Sequence, residues 1–443
     1  MIASGGGPVE LTRGKQLAAR LHQIVPGGCH TYAKGDDQYP ELAPSVIARG
    51  KGCHVWDVDG NEFIEYGMGL RAVTLGHAYP RVVEAVRASL ELGTNFTRPS
   101  PQELTCAEAF LSLIQGAEMV KFTKDGSTAN TAALRLARRA TGRDMVAVCT
   151  DHPFISYDDW YFCTTTADGG IPRVFHDQIV QFHYNDLASL RAQFAAHPGK
   201  IAAVFLEPAR LDEPAPGFLA ELVALCHAEG AVVVFDETIT GFRWHLRGAQ
   251  GLYGVVPDLS VFGKGMANGF SQSALAGKRA VMHWGGRDRL DEDVFLLSTT
   301  HGAEIPALAA AIATMEIYRT EPVVEHLHRV GARLAEGMRQ ASARHGLSAH
   351  VLPLGRPCHV YFATRGPDGK PSQPFRSLFL QELIQRGVLG PSFVVSYSHQ
   401  DDDIDRTIDA IDGACAVYAR AMAAGKVDGL LVGPPSRVVY SRR

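Results

Sequence analysis

From about Ala117 to Gly277 short apolar runs alternate with longer helical ones, and this alternation restricts the fold more than any other feature. "EMVKF", "DMVAVCT", "IAAVFLEP", "AVVVFDE" and "LSVFGK" are nearly continuous in apolar residues, and "SALAG" reads as a further strand. Between them, "STANTAALRLARRATG" and "GFLAELVALCHAEG" carry apolar residues at helical spacing and stop at a glycine. A strand that is apolar on both faces needs cover on both faces, and crossover helices of a parallel sheet supply it. The expected fold class is therefore α/β with a mostly parallel sheet. In such sheets ligands gather beyond the carboxyl ends of the strands.

The flanks differ from this core. Residues 1–75 read as short strands and turns, with an Asp-Gly turn joining "HVWDV" to "NEFIEY". Beyond residue 322 come long helices around "CHVYFATRG". The expected organisation is a large domain over 76–322 and a smaller α+β domain over 323–443. The segment 1–75 packs with the smaller domain. The run Asp401–Asp403 fits a helix N-terminus, where the dipole favours acids.

Composition narrows the function classes. The chain has 443 residues, 46% hydrophobic and 20% charged, with a net charge of −4. That balance provides no basic field for nucleic acid and no polybasic patch for a membrane surface. No apolar run reaches transmembrane length, and "MIASGGGPVELTRGK" has no secretory h-region, so a cytoplasmic protein is expected. The eight cysteines form no CxxC pair and no Cys/His cluster with metal-ligand spacing. Reduced, mostly buried thiols and no metal site are expected.

Three elements carry chemistry, in chain order. "KDGSTAN" lies between a strand and a helix, where Gly126 admits close approach and Ser127 and Thr128 offer amides and hydroxyls. That is either a phosphate cradle or a simple N-cap. Asp236 ends "AVVVFDE", and a carboxylate after four apolar residues needs a partner: an internal salt bridge or a protonated pyridine nitrogen. Lys264 sits between two glycines at the end of the next strand, either a solvated turn residue or a partly desolvated nucleophile. An anion cradle, a carboxylate and a lysine at successive strand ends together match the needs of pyridoxal 5′-phosphate.

"VVVFDETITGFR" followed by "PDLSVFGKGMANG" resembles the class III pyridoxal-phosphate aminotransferases, specifically those similar to glutamate-1-semialdehyde aminomutase. The likeness extends through "IVPGGCHTYAKG", "VWDVDGNEFIEYGMGLRAVTLGHAYP" and "STTHGAEIPALAAA". It implies the fold type I architecture and a homodimer with shared active sites. By resemblance, Lys264 would form the internal aldimine and move protons, while Asp236 would keep the pyridine nitrogen protonated. Gly126 and Ser127 would bind the phosphate, and Thr300 would reach the phosphate in the other subunit. Phe154 and Thr238 would lie against the two ring faces, and Glu207 would brace Asn130.

Departures from the aminomutase pattern bear on the substrate. Ile155 stands where the family has a histidine, "CHTYAKGDDQYPE" replaces the segment that grips the substrate carboxylate, and the 151–172 loop is altered. The pattern resembles the aminotransferases of gentamicin-type aminoglycoside biosynthesis, which implies an amino donor and an oxidised sugar as substrates. Asp36, Asp37, Asp158 and Asp159 would make an acidic pocket for a polycation. The rival expectation is a pyridoxal-phosphate isomerase, either an aminomutase or an amino-sugar epimerase.

Overall fold

The computed structural model describes residues 10–287 and 297–438. They form two compact units: Pro80–Val324, and the segment up to Tyr79 together with Glu325–Val439.

In the Pro80–Val324 unit, seven described strands form one sheet. Across it lie Met119–Thr123, Ser273–Gly277, Leu259–Phe262, Val232–Asp236, Ile201–Leu206, Met145–Cys149 and Ile179–Phe182. Ser273–Gly277 runs antiparallel to both its neighbours, and the remaining pairings are parallel. The period of two along a strand divides the side chains between two cores. Val146, Val148, Phe205, Val232, Val234 and Val261 meet Ala133, Leu134 and Ala137 of the helix Gly126–Thr141. Cys149, Val204, Leu206, Val233 and Phe235 meet Leu219, Leu222 and Cys226 of the helix Phe218–Ala228. Each such valine or phenylalanine, taken wholly out of water, contributes roughly 1.5–3 kcal/mol.

The helix Gly126–Thr141 has clear local causes. The Asp125 side chain accepts from Thr128 N at 2.8 Å, and Gly142 closes the other end in the left-handed region at φ 66°. It therefore starts directly above the end of the Met119–Thr123 strand.

The other unit has a four-stranded sheet in the order Ile47–Lys51, His54–Asp57, Glu62–Glu65 and Val388–Leu389, the last pair parallel. The Asp57 carboxylate accepts from Asp59 N and Asn61 N at 3.0 and 2.8 Å, which folds the chain back into the hairpin. Helices Gln373–Gln385 and Asp401–Ala424 cover it, and the second begins with a capping box between Gln400 and Asp403. One element was not expected: Thr12–Ile24 is a helix, not strand and turn. It buries only Gly14, and Leu17 and Ile24 remain exposed, so its sequence carries a weak core-facing stripe. All eight cysteines are free thiols, and every one but Cys29 is buried. Among the described residues no helix is long and apolar enough to cross a membrane.

Gly331 tests the packing of the helix Val323–Arg344. In an exposed helix Gly→Ala adds about 1 kcal/mol. Here an added Cβ would lie 1.7 Å from the Pro357 carbonyl oxygen. Gly331→Ala is expected to lose about 1–3 kcal/mol in a denaturant titration. A neutral or stabilising result would show that the Pro357 turn yields easily.

Candidate active site

Adjacent parallel strands bring Asp236 and Lys264 to one edge. Asp236 stands opposite Val261, and Glu237 N donates to the Val261 carbonyl at 2.8 Å. The next strand ends at Phe262, so Gly263 and Lys264 leave the sheet beside Asp236. Lys264 is partly buried and holds φ at 43°, a left-handed conformation costing a non-glycine residue about 1–2 kcal/mol. The turn is held by Met266 N donating to the Gly263 carbonyl at 3.0 Å and by the Tyr318 hydroxyl donating to the Gly265 carbonyl at 2.7 Å.

Asp236 is 5% exposed. Its Oδ2 accepts from Asn130 Nδ2 at 3.0 Å and its Oδ1 from Thr238 N at 2.9 Å. Burial pushes the carboxyl above its ordinary range, and Thr238, the positive charge of Lys264 and Asn130 pull it back. Thr238 acts on the carboxylate through its backbone N–H, and its buried Oγ1 has no partner at hydrogen-bond geometry. Asn130 Oδ1 is buried and unmatched in the same way.

Around Thr238 the backbone crowds in. A Cβ on Gly126 would stand 3.1 Å from Thr238 Oγ1, and one on Gly263 would stand 3.3 Å from Thr238 Cγ2 and 2.6 Å from Ser273 Oγ. Asp125 caps Thr128 N, but among the described residues no acceptor meets the Gly126 and Ser127 amides. The first turn of a 16-residue helix thus presents unmatched donors beside a glycine cradle, as an anion site requires. These residues fit pyridoxal phosphate: free amides for the phosphate, a buried carboxylate for the ring nitrogen and a lysine for the aldehyde.

The other predicted residues fall as follows. The Ser127 hydroxyl accepts from Tyr157 N at 3.2 Å. Phe154 is exposed on the following loop and meets Phe162 edge to face at 6.0 Å. The next carbonyl, of Ile155, accepts from Asn130 Nδ2 at 3.0 Å, so one amide ties this loop to Asp236. Asn130 donates its amide to Ile155 and Asp236, and buried Glu207 meets Arg210 at 3.9 Å. Thr300 lies on an exposed turn, its carbonyl accepting from Asn95 Nδ2 at 3.0 Å.

The acidic candidates have partners of their own. Asp158 accepts from Thr131 Oγ1, and Asp36 meets His22 at 3.0 Å. Asp36 and Glu41 line a cavity of about 880 Å³ in the other unit, where Lys15 neutralises Glu41 at 2.8 Å. Of the four acids expected to form an acidic wall, Asp36 and Asp158 thus have these partners, and Asp37 Oδ1 accepts from Gln38 Nε2 at 3.0 Å. Asn130 is the residue whose contact with Asp236 the sequence reading missed. Its signal was present: an amide one helical turn after Gly126 on an otherwise apolar, alanine-rich face.

Glu237 points away from Asp236 and caps the short helix Gly248–Tyr253, accepting from Ala249 N and Gln250 N at 2.7 Å each. Burial pushes it up from 4.5 to about 7. The folded chain therefore keeps a proton here that the unfolded chain releases. The cofactor-free protein is expected to lose stability as the pH rises from 4.5 to about 7, and Glu237→Gln to flatten that slope. Denaturant titrations across this range check it, and equal slopes in both proteins would refute it. Asn130→Ala should weaken pyridoxal-phosphate binding by about tenfold or more, since hydrogen bonds to charged groups carry roughly 1.5–3 kcal/mol. An unchanged dissociation constant would show that Asp236 needs no amide.

The model of the family "Aminotransferase class-III" matches residues 36–414. The glutamate-1-semialdehyde 2,1-aminomutase of Desulfitobacterium hafniense (strain DSM 10664 / DCB-2) is 32% identical over 425 residues, 90% of this chain and 96% of that one. The same-named protein of Desulforudis audaxviator (strain MP104C) is 33% identical over 431 residues, 91% and 97% of the two chains. The FumI protein of Sphingopyxis sp. MTA144, solved in its PLP internal aldimine form, superposes with a TM-score of 0.85 at 29% identity, covering 95% of this chain and 100% of that one. An omega-transaminase from Sphaerobacter thermophilus gives 0.81 at 25% identity, covering 92% and 98%. With this fold type I architecture and this site, the chain belongs to the class-III aminotransferases, enzymes that use pyridoxal 5′-phosphate.

Proposed function

We propose that the protein is an aminotransferase that places an amine on an oxidised sugar carbon of an aminoglycoside-type antibiotic intermediate, acting as a cytoplasmic homodimer. The observation that carries the amine chemistry is the pair Asp236 and Lys264 at the ends of adjacent strands, with the charge of Lys264 acting on the buried carboxylate. When bound, pyridoxal phosphate supplies an aldehyde that takes up amines and a ring that accepts electrons from the neighbouring carbon. Lys264 Nζ takes a proton from the substrate carbon and returns it on the other side of the transfer. Asp236 holds a proton on the ring nitrogen. The Gly126 and Ser127 amides hold the phosphate, and Thr238 and Phe154 flank the ring. Thr300 extends to the phosphate of the other subunit in the dimer.

The sugar reading rests on the segments that depart from the aminomutase pattern: Cys29–Glu41, Ile155 and the 151–172 loop. Trp160 and Thr131 now fill that loop's inner side, Trp160 Nε1 donating to Thr131 Oγ1 at 2.7 Å. A second reading, an isomerase of the aminomutase or epimerase kind, is favoured by the names of the curated relatives. Dependence on an external donor separates the two.

The test is the visible spectrum of the purified protein before and after L-glutamate, L-glutamine or an aminoglycoside is added. Bleaching of the yellow band to the pyridoxamine form by one donor supports transfer. A band that no donor bleaches, with proton exchange at the substrate, moves the isomerase ahead. Lys264→Ala is expected to retain cofactor but lose at least a thousandfold in turnover. Near-normal activity in that variant would sink the assignment of the lysine.

A further inference from the structure

The unit that holds both chain flanks contains a second cluster of chemically capable side chains, at a point the aminotransferase reaction does not use. His54 opens the strand His54–Asp57, Cys53 stands in the turn just before it, and Asp403 lies in the first turn of the helix Asp401–Ala424. Cys53 Sγ stands 3.3 Å from Asp403 Oδ2, and His54 Nε2 stands 3.0 Å from Asp403 Oδ1. The sulfur, nitrogen and oxygen atoms all lie within 4.8 Å of one another. On its far side, His54 Nδ1 meets Glu62 Oε1 at 2.9 Å.

We propose that Cys53, His54 and Asp403 bind a divalent transition metal of the zinc type. The ligand set is one thiolate, one imidazole and one carboxylate, a borderline-soft combination that suits Zn²⁺ and excludes Mg²⁺ and Ca²⁺. Metal–ligand bonds of about 2.0–2.3 Å put the corners of a tetrahedron roughly 3.3–3.6 Å apart. The two contacts to Asp403 are 3.3 and 3.0 Å, to different carboxylate oxygens, and one atom from each residue lies within 4.8 Å of the others, so the set reaches a tetrahedron by shifts of about 1 Å. Glu62 lies beside Nδ1 at 2.9 Å, off hydrogen-bond geometry, while Nε2 faces Asp403 and carries the ligand lone pair. Cys53 is 2% exposed, whereas the His54 and Asp403 side chains are 21% and 13% exposed, which leaves room for a water in the fourth position. On binding, the ion replaces the Cys53 thiol proton, which passes to solvent, and the His54 proton stays on Nδ1, beside Glu62. No redox step is involved. The ion would clamp a strand to a helix almost 350 positions later in the chain.

The test uses the full-length, cofactor-loaded protein after treatment with chelator. Titration with Co²⁺ is expected to give one ion per chain, with a thiolate charge-transfer band and the intense visible bands of a four-coordinate ion, to the red of the cofactor. Zn²⁺ should displace it. Cys53→Ser should abolish the charge-transfer band, and Asp403→Asn should weaken binding at least tenfold. Should Asp403→Asn fail to fold, Cys53→Ser alone decides, because the thiolate band has no other source in the proposal. Absence of stoichiometric Co²⁺ binding, or a band that survives Cys53→Ser, overturns it. Pyridoxal-phosphate spectra and turnover are independent readings, so this proposal and the aminotransferase assignment can fail separately.

Discussion

A carboxylate taken out of water at the end of an apolar strand is the constraint around which the larger unit is arranged. Removing an isolated charged group from solvent costs several kcal/mol, and Asp236 is almost wholly buried. Three groups offset that cost, and each arrives from a different place: Asn130 from the helix over the sheet, Thr238 N from the strand's own exit, and Lys264 from the neighbouring strand. Asn130 and Lys264 can be supplied only where the sheet order sets Leu259–Phe262 beside Val232–Asp236 and the helix Gly126–Thr141 crosses above both. The two sides of the sheet share this work unequally. Asp236 serves the site, and Glu237, one residue on and facing elsewhere, holds a helix end.

The price of this arrangement is paid locally and in geometry. Lys264 accepts a left-handed backbone, and Gly126 and Gly263 leave out side chains that would collide with Thr238 or Ser273. Buried oxygens on Thr238 and Asn130 stay without partners. In a protein whose net stability is only about 5–15 kcal/mol, such a concentration of local cost marks a place that is shaped to receive something. Pyridoxal phosphate offers a match to each: donors for its anion, an acceptor for its ring proton and a reach for its aldehyde.

The central sheet was legible because its physics is local. Continuous apolar runs such as Val232–Phe235 admit few structures other than a doubly covered strand, and Gly142 and Gly230 mark helix ends by conformation alone. Asp236 and Lys264 were legible for the opposite reason, as polar residues where the pattern requires apolar ones. What escaped was whatever depends on pairing across the chain. Asn130 reads as a helix residue until the fold brings it 106 positions to Asp236. Asp36 reads as a free acid until His22 is folded against it. The helix Thr12–Ile24 left little trace because it buries almost nothing, and burial is what writes periodicity into a sequence.

The single antiparallel strand described in the seven-stranded sheet, Ser273–Gly277, bears on how the molecule is born. It alone joins the Met119–Thr123 strand to the rest of the sheet, pairing Thr123 with Ser273 and Phe262 with Ala274. The first of these pairs spans 150 positions. During synthesis the Met119–Thr123 strand therefore has no partner in the sheet until the ribosome has delivered Ser273–Gly277. Until then Met119–Thr123 waits with both edges unpaired, a template for the wrong partner. Ser273–Gly277 closes one edge of each neighbour at once, so the larger sheet is complete only when its last strand in sequence arrives.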